Sequence, residues 1–380
     1  MHRIKTAALS LFIVLLVGIP VVGAADFTPV QKLLDESVAD GTVAGGSVLV
    51  IHHGKVVFAK GFGFSDIKSK TPFQLDTPAV IASISKPLLG TAAFRLAQQK
   101  KLDLSAPITK YLPEFANAKL ESGDAISRAP TTLELFTHTS GIRHSEASGG
   151  RPWFASWTQG KPLGDVVKRY AKEFPFKREP GTKFAYSGIG TDVAARVLEV
   201  AASEPRNVLL VTEVGHPLGM KHTFYRDASS LKLVGPMPTR YQRGKDGELR
   251  VTQARPVPPP NTYSSSGGSV ISTAPDLARW LLMIRNDGRH EGKVFLTPAT
   301  LAEMLDVFPH CSWAQGGFAI RKKDDAGKPV VVGHTGSSGT NCWIDFKNDL
   351  IGIMLTQTRG SDIKPFRKEL EKRILGCVAE

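Results

Sequence analysis

The chain has 380 residues, 42% of them hydrophobic and 22% charged. That balance is ordinary for a globular protein and excludes wholesale disorder, a collagen-like fibre and a coiled coil. Lys and Arg number 48 against 35 Asp and Glu, a net charge of +13. The basic residues are dispersed, with no run longer than Arg321-Lys322-Lys323 or the mixed Lys368–Arg373 stretch. No zinc-finger, RNP-like or heptad pattern accompanies them, so no nucleic-acid partner is expected.

The first residues read as an address. Arg3 and Lys5 precede an almost purely apolar run, Ala7 to Ile19, and small residues Gly23, Ala24 and Ala25 precede Asp26. A basic start, a short apolar stretch and a small-residue cleavage site make a secretory signal. The apolar run is shorter than the ~20 residues a membrane span needs. We therefore expect a signal peptide over residues 1–25 and a folded unit over 26–380. The protein would be exported, periplasmic or secreted, with no transmembrane anchor after cleavage. Cleavage removes two basic residues and no acidic ones, leaving +11. Such a surface is compatible with anionic cell-wall association.

Thr28-Pro29 predicts a helix start, with the Thr28 hydroxyl at the cap and Val30, Leu33, Leu34 and Val38 along one face. Gly46–Ile51 and Lys55–Lys60 read as strands joined by a tight His52-His53-Gly54 hairpin. From about 79 to 301 the pattern is mainly helical, broken by Pro and Gly loops. Thr273-Ala274-Pro275-Asp276 signals a capped helix start. Strands return at Gly317–Arg321, Val330–Val332, Cys342–Phe346 and Leu350–Thr356, and a helix is expected over about 364–375. Strands at both ends and helices between them predict an α/β (α+β) fold. One antiparallel sheet would be built from both chain ends, with a largely helical insertion at about 90–310. Cys311, Cys342 and Cys377 allow at most one internal disulfide, Cys311 with Cys342 being one pairing. Neither these cysteines nor any His-Glu-x-x-His motif suggests a metal, and no cofactor is expected.

Ser83-Ile84-Ser85-Lys86 stands at a helix start, where residues three apart share a face. A serine hydroxyl is a weak nucleophile until a base takes its proton. A lysine serves as that base when burial and neighbouring dipoles lower its pKa. Pro180–Ser187 is a turn that delivers Tyr186, which could relay protons beside a lysine. Gly333-His334-Thr335-Gly336-Ser337 lies between apolar strands, and its glycines let backbone approach a substrate. The Ser337 and Ser83 amides could then form an oxyanion hole.

Together these pieces resemble the serine β-lactamase and penicillin-recognising family, in its class C-like branch of esterases and D-peptide hydrolases. The first motif is Ser83-Ile84-Ser85-Lys86, the second Tyr186-Ser187-Gly188 and the third His334-Thr335-Gly336. Supporting matches are Leu135–Gly141, Pro217–Met220, Gly267-Gly268 and Ser272–Ala278, so the likeness covers about Pro29 to Thr358. It implies a β-lactamase/transpeptidase-like fold and an acyl-enzyme on Ser83. Lys86 and Tyr186 would share the acid–base work. Ser83 and Ser337 amides would hold the oxyanion, and Gly188, His334, Thr335 and Gly336 would meet the substrate.

Two departures matter. Gly188 stands where the family's second motif has Asn, and His334 where its third has Lys. The first removes a side chain that contacts substrate and helps orient the lysine. The second removes a fixed positive charge, since an ordinary imidazole is mostly neutral at pH 7. Both point toward esters or peptides with other anchors rather than carboxylate-bearing lactams. We expect an esterase-like serine hydrolase acting on a small-molecule ester, amide or peptide. A β-lactamase or D-peptide hydrolase is the alternative, and a weakly active or inactive wall-binding member a further one. His138 reads as a hydrogen-bonding strut, Ser85 as a packing residue, and the Asn261–Ser266 loop as a candidate cleft edge. Trp153, Trp157 and Trp343 could each be core or cleft.

Overall fold

The computed structural model describes residues 25–145, 150, 155–226, 236–253 and 263–378. Residues 1–24 of the expected 1–25 signal peptide lie outside these, as do Trp153 and residues 261–262 of the candidate edge loop.

Helix α1 spans Thr28–Ala39 and precedes strands β1 (Gly45–His52), β2 (Lys55–Asp66), β3 (Thr71–Pro72) and β4 (Ala79–Val80). Helix α2 (Ser85–Gln98) opens a mainly helical stretch with α3 (Thr132–Phe136), α4 (Leu163–Glu173), α5 (Gly188–Ala202) and α6 (Arg206–Leu210). Short strands β5 (Phe224–Tyr225), β6 (Arg240–Arg243), β7 (Leu249–Gln253) and β8 (Val270–Ser272) follow, then α7 (Ala274–Arg285). Strands β9 (Arg289–His290) and β10 (Lys293–Val294) and helix α8 (Pro298–Leu305) complete this part. The chain ends with β11 (Ala319–Lys323), β12 (Pro329–Thr335), β13 (Asn341–Asp345), β14 (Leu350–Thr356) and α9 (Lys364–Val378).

The main sheet has seven strands in the order β11-β12-β13-β14-β1-β2-β3. Every pairing is antiparallel, and the join between the two chain ends is β14 against β1. The fold is therefore the mixed α/β architecture expected from strands at the chain ends. Strands β1 and β14 read as continuous apolar runs because both sheet faces are covered. Leu49, Ile51, Ile353 and Leu355 join the large core shared with α2, α5 and α7. Val48, Val50 and Met354 join a second core formed with α1 and α9.

Local signals were mostly sound. His53 and Gly54 take φ of 49° and 72°, the left-handed pair of a tight hairpin turn. Thr273 caps α7 by accepting the Asp276 N–H at 3.3 Å. The α1 cap differs from expectation: Phe27 occupies the cap position, and the Thr28 N–H donates to Asp26 Oδ1 at 2.8 Å. The three cysteines are free, and Cys342 is buried within β13.

Trp280 of α7 ties the insertion to the site-bearing helix. It is fully buried, stacks on Phe318 with centroids 5.4 Å apart, and donates Nε1–H to Thr91 Oγ1 of α2 at 3.0 Å. Trp280→Ala is expected to lower unfolding stability by about 3–5 kcal/mol, read as a shifted urea midpoint. Trp280→Phe, which keeps most of the volume, should cost about 1–2 kcal/mol.

Candidate active site

Ser83 sits in a 3-10 turn, Ala82–Ile84, that runs directly into α2. Ala82 holds φ at 48°, a left-handed conformation that costs an alanine roughly 1–2 kcal/mol. The surrounding hydrogen bonds hold that conformation in place. Ser338 Oγ donates to Val80 O at 2.6 Å and Thr340 Oγ1 donates to Ile81 O at 2.9 Å. The turn after β12 is thus sewn to the residues just before Ser83. Gly336 permits this close approach, since a Cβ there would lie 2.6 Å from Ile81 O.

Lys86 is the second residue of α2 and is 4% exposed. Its Nζ donates to Ser83 Oγ at 3.3 Å and to Gly267 O at 2.7 Å, and lies 4.8 Å from the Tyr186 ring centre. Tyr186 OH donates to the same Ser83 Oγ at 2.9 Å. Three groups separated by up to 103 positions in sequence therefore meet on one oxygen.

Tyr186 is carried by an extended segment pinned to the Thr137–Gly141 turn. Ala185 N–H donates to His138 O at 2.7 Å and Ser187 N–H donates to His138 Nδ1 at 3.3 Å. His138 is the strut expected of it. Its ring packs 4.3 Å from that of Tyr186. Burial, with the nearby Lys86 charge second, pushes its pKa well below that of an ordinary imidazole. Ser85 is likewise structural: its hydroxyl donates to Ala82 O at 2.6 Å and accepts the Val270 N–H at 3.2 Å.

A cleft of about 470 Å³ opens above Ser83. Ser83, Tyr186, His334, Thr335, Gly336 and Ser337 all line it. Lys86 and Gly188 lie outside that lining. Gly188 begins α5, and its N–H donates to His144 Nδ1 at 2.9 Å. His334 is buried, and its Nδ1 bonds Thr335 O at 2.7 Å, which places the proton on Nδ1. Burial first, and Lys86 second, push its pKa down to about 3. It is a neutral imidazole across the working pH range. The lysine of the family motif has no charged replacement at this position.

Positive charge enters the cleft from another wall. Arg321 of β11 and Lys364 and Arg367 of α9 line it. The nearby carboxylate, Glu371, is already held by Arg321 at 3.1 Å and Asn341 at 2.6 Å. Trp313 also lines the cleft, with its ring 5.2 Å from His334, 4.9 Å from His138 and 5.9 Å from Tyr186. Sequence reasoning missed these four residues. Trp157 and Trp343, which it weighed, are packing residues: Trp157 sits on Tyr170 and Phe174, and Trp343 in the outer core. Tyr263–Ser266 are buried behind the site and do not edge the cleft.

The family model described as Beta-lactamase matches residues 30–374. The chain is 27% identical over 298 residues to Esterase EstB of Burkholderia gladioli, covering 72% of each chain. It is 30% identical over 244 residues to the D-alanyl-D-alanine-carboxypeptidase/endopeptidase AmpH of Escherichia coli K12, covering 63% of this chain and 57% of that one. Among solved structures, EstCE1, a hydrolase with promiscuous acyltransferase activity, superposes with a TM-score of 0.76 at 23% identity, covering 91% and 97% of the two chains.

Proposed function

The chain belongs to the Beta-lactamase family of serine hydrolases, and from that footing we propose that it is an exported esterase working through an acyl-enzyme on Ser83. One observation carries the reading: Tyr186 OH and Lys86 Nζ converge on Ser83 Oγ at 2.9 and 3.3 Å. Ser83 Oγ attacks the ester carbonyl carbon while its proton passes to the Lys86–Tyr186 pair. The carbonyl oxygen becomes an oxyanion facing the Ser83 and Ser337 N–H groups. Collapse breaks the bond to the alcohol, which leaves with a proton from the same pair. Water then attacks the acyl-enzyme, and the pair takes and returns a proton again. The reading includes a signal peptide over residues 1–25, a hydrolase domain over 26–380 with its helical insertion at about 90–310, and a periplasmic or secreted product.

The ester preference rests on Gly188 and on the neutral His334, which supply neither the amide contact nor the charge that a lactam carboxylate would use. The intact Ser83, Lys86 and Tyr186 constellation speaks against an inactive wall-binding member. A D-peptide hydrolase is a second reading, favoured by Arg321, Lys364 and Arg367 in the cleft wall. Those cations suit a substrate with a free carboxylate.

The test is a fluorophosphonate probe followed by peptide mapping, with p-nitrophenyl butyrate, nitrocefin and a D-alanyl-D-alanine peptide as substrates. We expect the adduct on Ser83, turnover of butyrate and slow turnover of nitrocefin. An adduct on another serine would overturn the assignment. Faster cleavage of the peptide than of the ester would establish the second reading.

A further inference from the structure

Behind Lys86 lies a buried ion pair that acyl transfer does not touch. Asp192 of α5 is fully buried. Its Oδ1 accepts the Ser266 N–H at 2.6 Å and its Oδ2 accepts the Tyr170 hydroxyl at 3.4 Å. Arg206, the first residue of α6, approaches Asp192 Oδ1 at 4.0 Å. Its guanidinium donates to Ser266 Oγ and to Ser264 O. It also lies over the rings of Tyr225 and Tyr263, 4.9 and 5.6 Å from their centres. Tyr225 OH donates to Ser266 O at 3.0 Å. The amide, hydroxyl and carbonyl of Ser266 are therefore all gripped by side chains from elsewhere.

The next residue is Gly267, whose carbonyl accepts from Lys86 Nζ at 2.7 Å. The contact has no slack, because a Cβ on Gly267 would lie 2.8 Å from Nζ. Ser264-Ser265-Ser266-Gly267-Gly268 has no apolar side chain with which to anchor itself. The Asn that would otherwise steady the lysine is Gly188. A buried ion pair contributes little net stability, so its presence here asks for another role. Burial pushes the Asp192 carboxyl up, while Arg206 and the Ser266 N–H oppose that push.

We propose that Asp192 and Arg206 are positioning residues that clamp the Ser264–Gly267 turn, so that the Gly267 carbonyl holds Lys86 against Ser83. The inference rests on Lys86 acting in proton transfer, as in the reading above. It gives the backbone carbonyl the task of the missing asparagine, and the ion pair the task of fixing that carbonyl.

The experiment compares Asp192→Asn, Arg206→Gln, Arg206→Lys, Gly267→Ala and the Asp192→Asn/Gly267→Ala double variant on p-nitrophenyl butyrate. Circular dichroism and melting curves establish which variants fold. Displacing a proton-transfer group by a fraction of an ångström to an ångström costs on the order of 10- to 100-fold. We expect losses of about that size in kcat, with KM within about threefold. Arg206→Lys should fall between wild type and Arg206→Gln, since it keeps the charge but not the fork. The double variant should lose about as much as Gly267→Ala alone, because both act through one contact. Unchanged kcat in a folded Asp192→Asn or Arg206→Gln variant, a loss confined to KM, or fully multiplying losses would overturn the clamp. If Asp192→Asn does not fold, the same criteria apply to the two Arg206 variants. Failure of the probe to label Ser83 in the wild-type enzyme would sink the catalytic reading and the clamp together. Normal labelling with unchanged variants would sink the clamp alone.

Discussion

Ser83→Ala and Lys86→Met are each expected to lower kcat on a short ester by about ten-thousand-fold or more, and the double variant by no more than either alone. The nucleophile and its base act as one unit, so removing either leaves only binding and the oxyanion donors. Tyr186→Phe should cost less, about 100-fold, since Lys86 still touches the serine oxygen. Met is chosen at 86 because it keeps an unbranched side chain at a site only 4% exposed. Nζ contacts two oxygens, Ser83 Oγ and Gly267 O, neither of them a carboxylate. Taking that buried amine away should therefore leave the melting temperature unchanged or raised, the usual trade between activity and stability at a working site. Activity and stability measured on the same preparation separate this outcome from unfolding. Retention of more than a tenth of kcat by Lys86→Met would remove lysine from the mechanism.

What the sequence makes legible follows the range over which each interaction acts. Ser83 and Lys86 are three apart, so their pairing on one helix face is local physics. The two-face burial of β1 and β14 is written in their unbroken apolar runs. Tyr186 could be singled out because a Pro-Gly turn delivers it. Lys86 and Gly267 are 181 positions apart, and nothing local in Ser264–Gly268 announces a carbonyl aimed at a lysine. Arg321 sits in an Arg-Lys-Lys run that reads as solvated surface. Only the β11–β12 pairing turns one of those three cations into the cleft. Trp313 follows Cys311-Ser312 in a stretch with no clear periodicity. The small sheet of β4, β8 and β5 has strands of two or three residues, too short to show an alternation. The α1 start departs from the Thr28 expectation because Asp26, one residue before the cap at Phe27, supplies the oxygen that accepts the Thr28 N–H.

Acidification is expected to destabilise the protein as pH falls from about 6.5 to 5, because two imidazoles packed on Trp313 at the site, His138 and His334, must stay neutral to stay buried. The pKa of His334 is pushed down to about 3 in the folded state, against about 6.5 when unfolded. Above 6.5 neither state binds the proton, and the group contributes nothing to the pH dependence. Below it the unfolded chain is protonated and the folded one is not, so stability falls as pH falls. The slope for one such imidazole approaches about 1.4 kcal/mol per pH unit, or roughly 2 kcal/mol lost by pH 5. His138, also fully buried and lowered for the same cause, adds in the same direction. The check is the urea midpoint at pH 7.5, 6.5, 5.5 and 5.0 for the wild-type protein and for His334→Gln. The substitution should flatten the acid limb by about one proton's slope, and an unchanged limb would mean that His334 accepts a proton in place. The same neutrality bears on recognition. With His334 uncharged between pH 6 and 8, the positive side chains lining the cleft are Arg321, Lys364 and Arg367. Discrimination between neutral and anionic esters should then be flat over that range. A preference for anionic esters that rises as pH falls from 8 to 6 would instead place a protonated imidazole at the substrate.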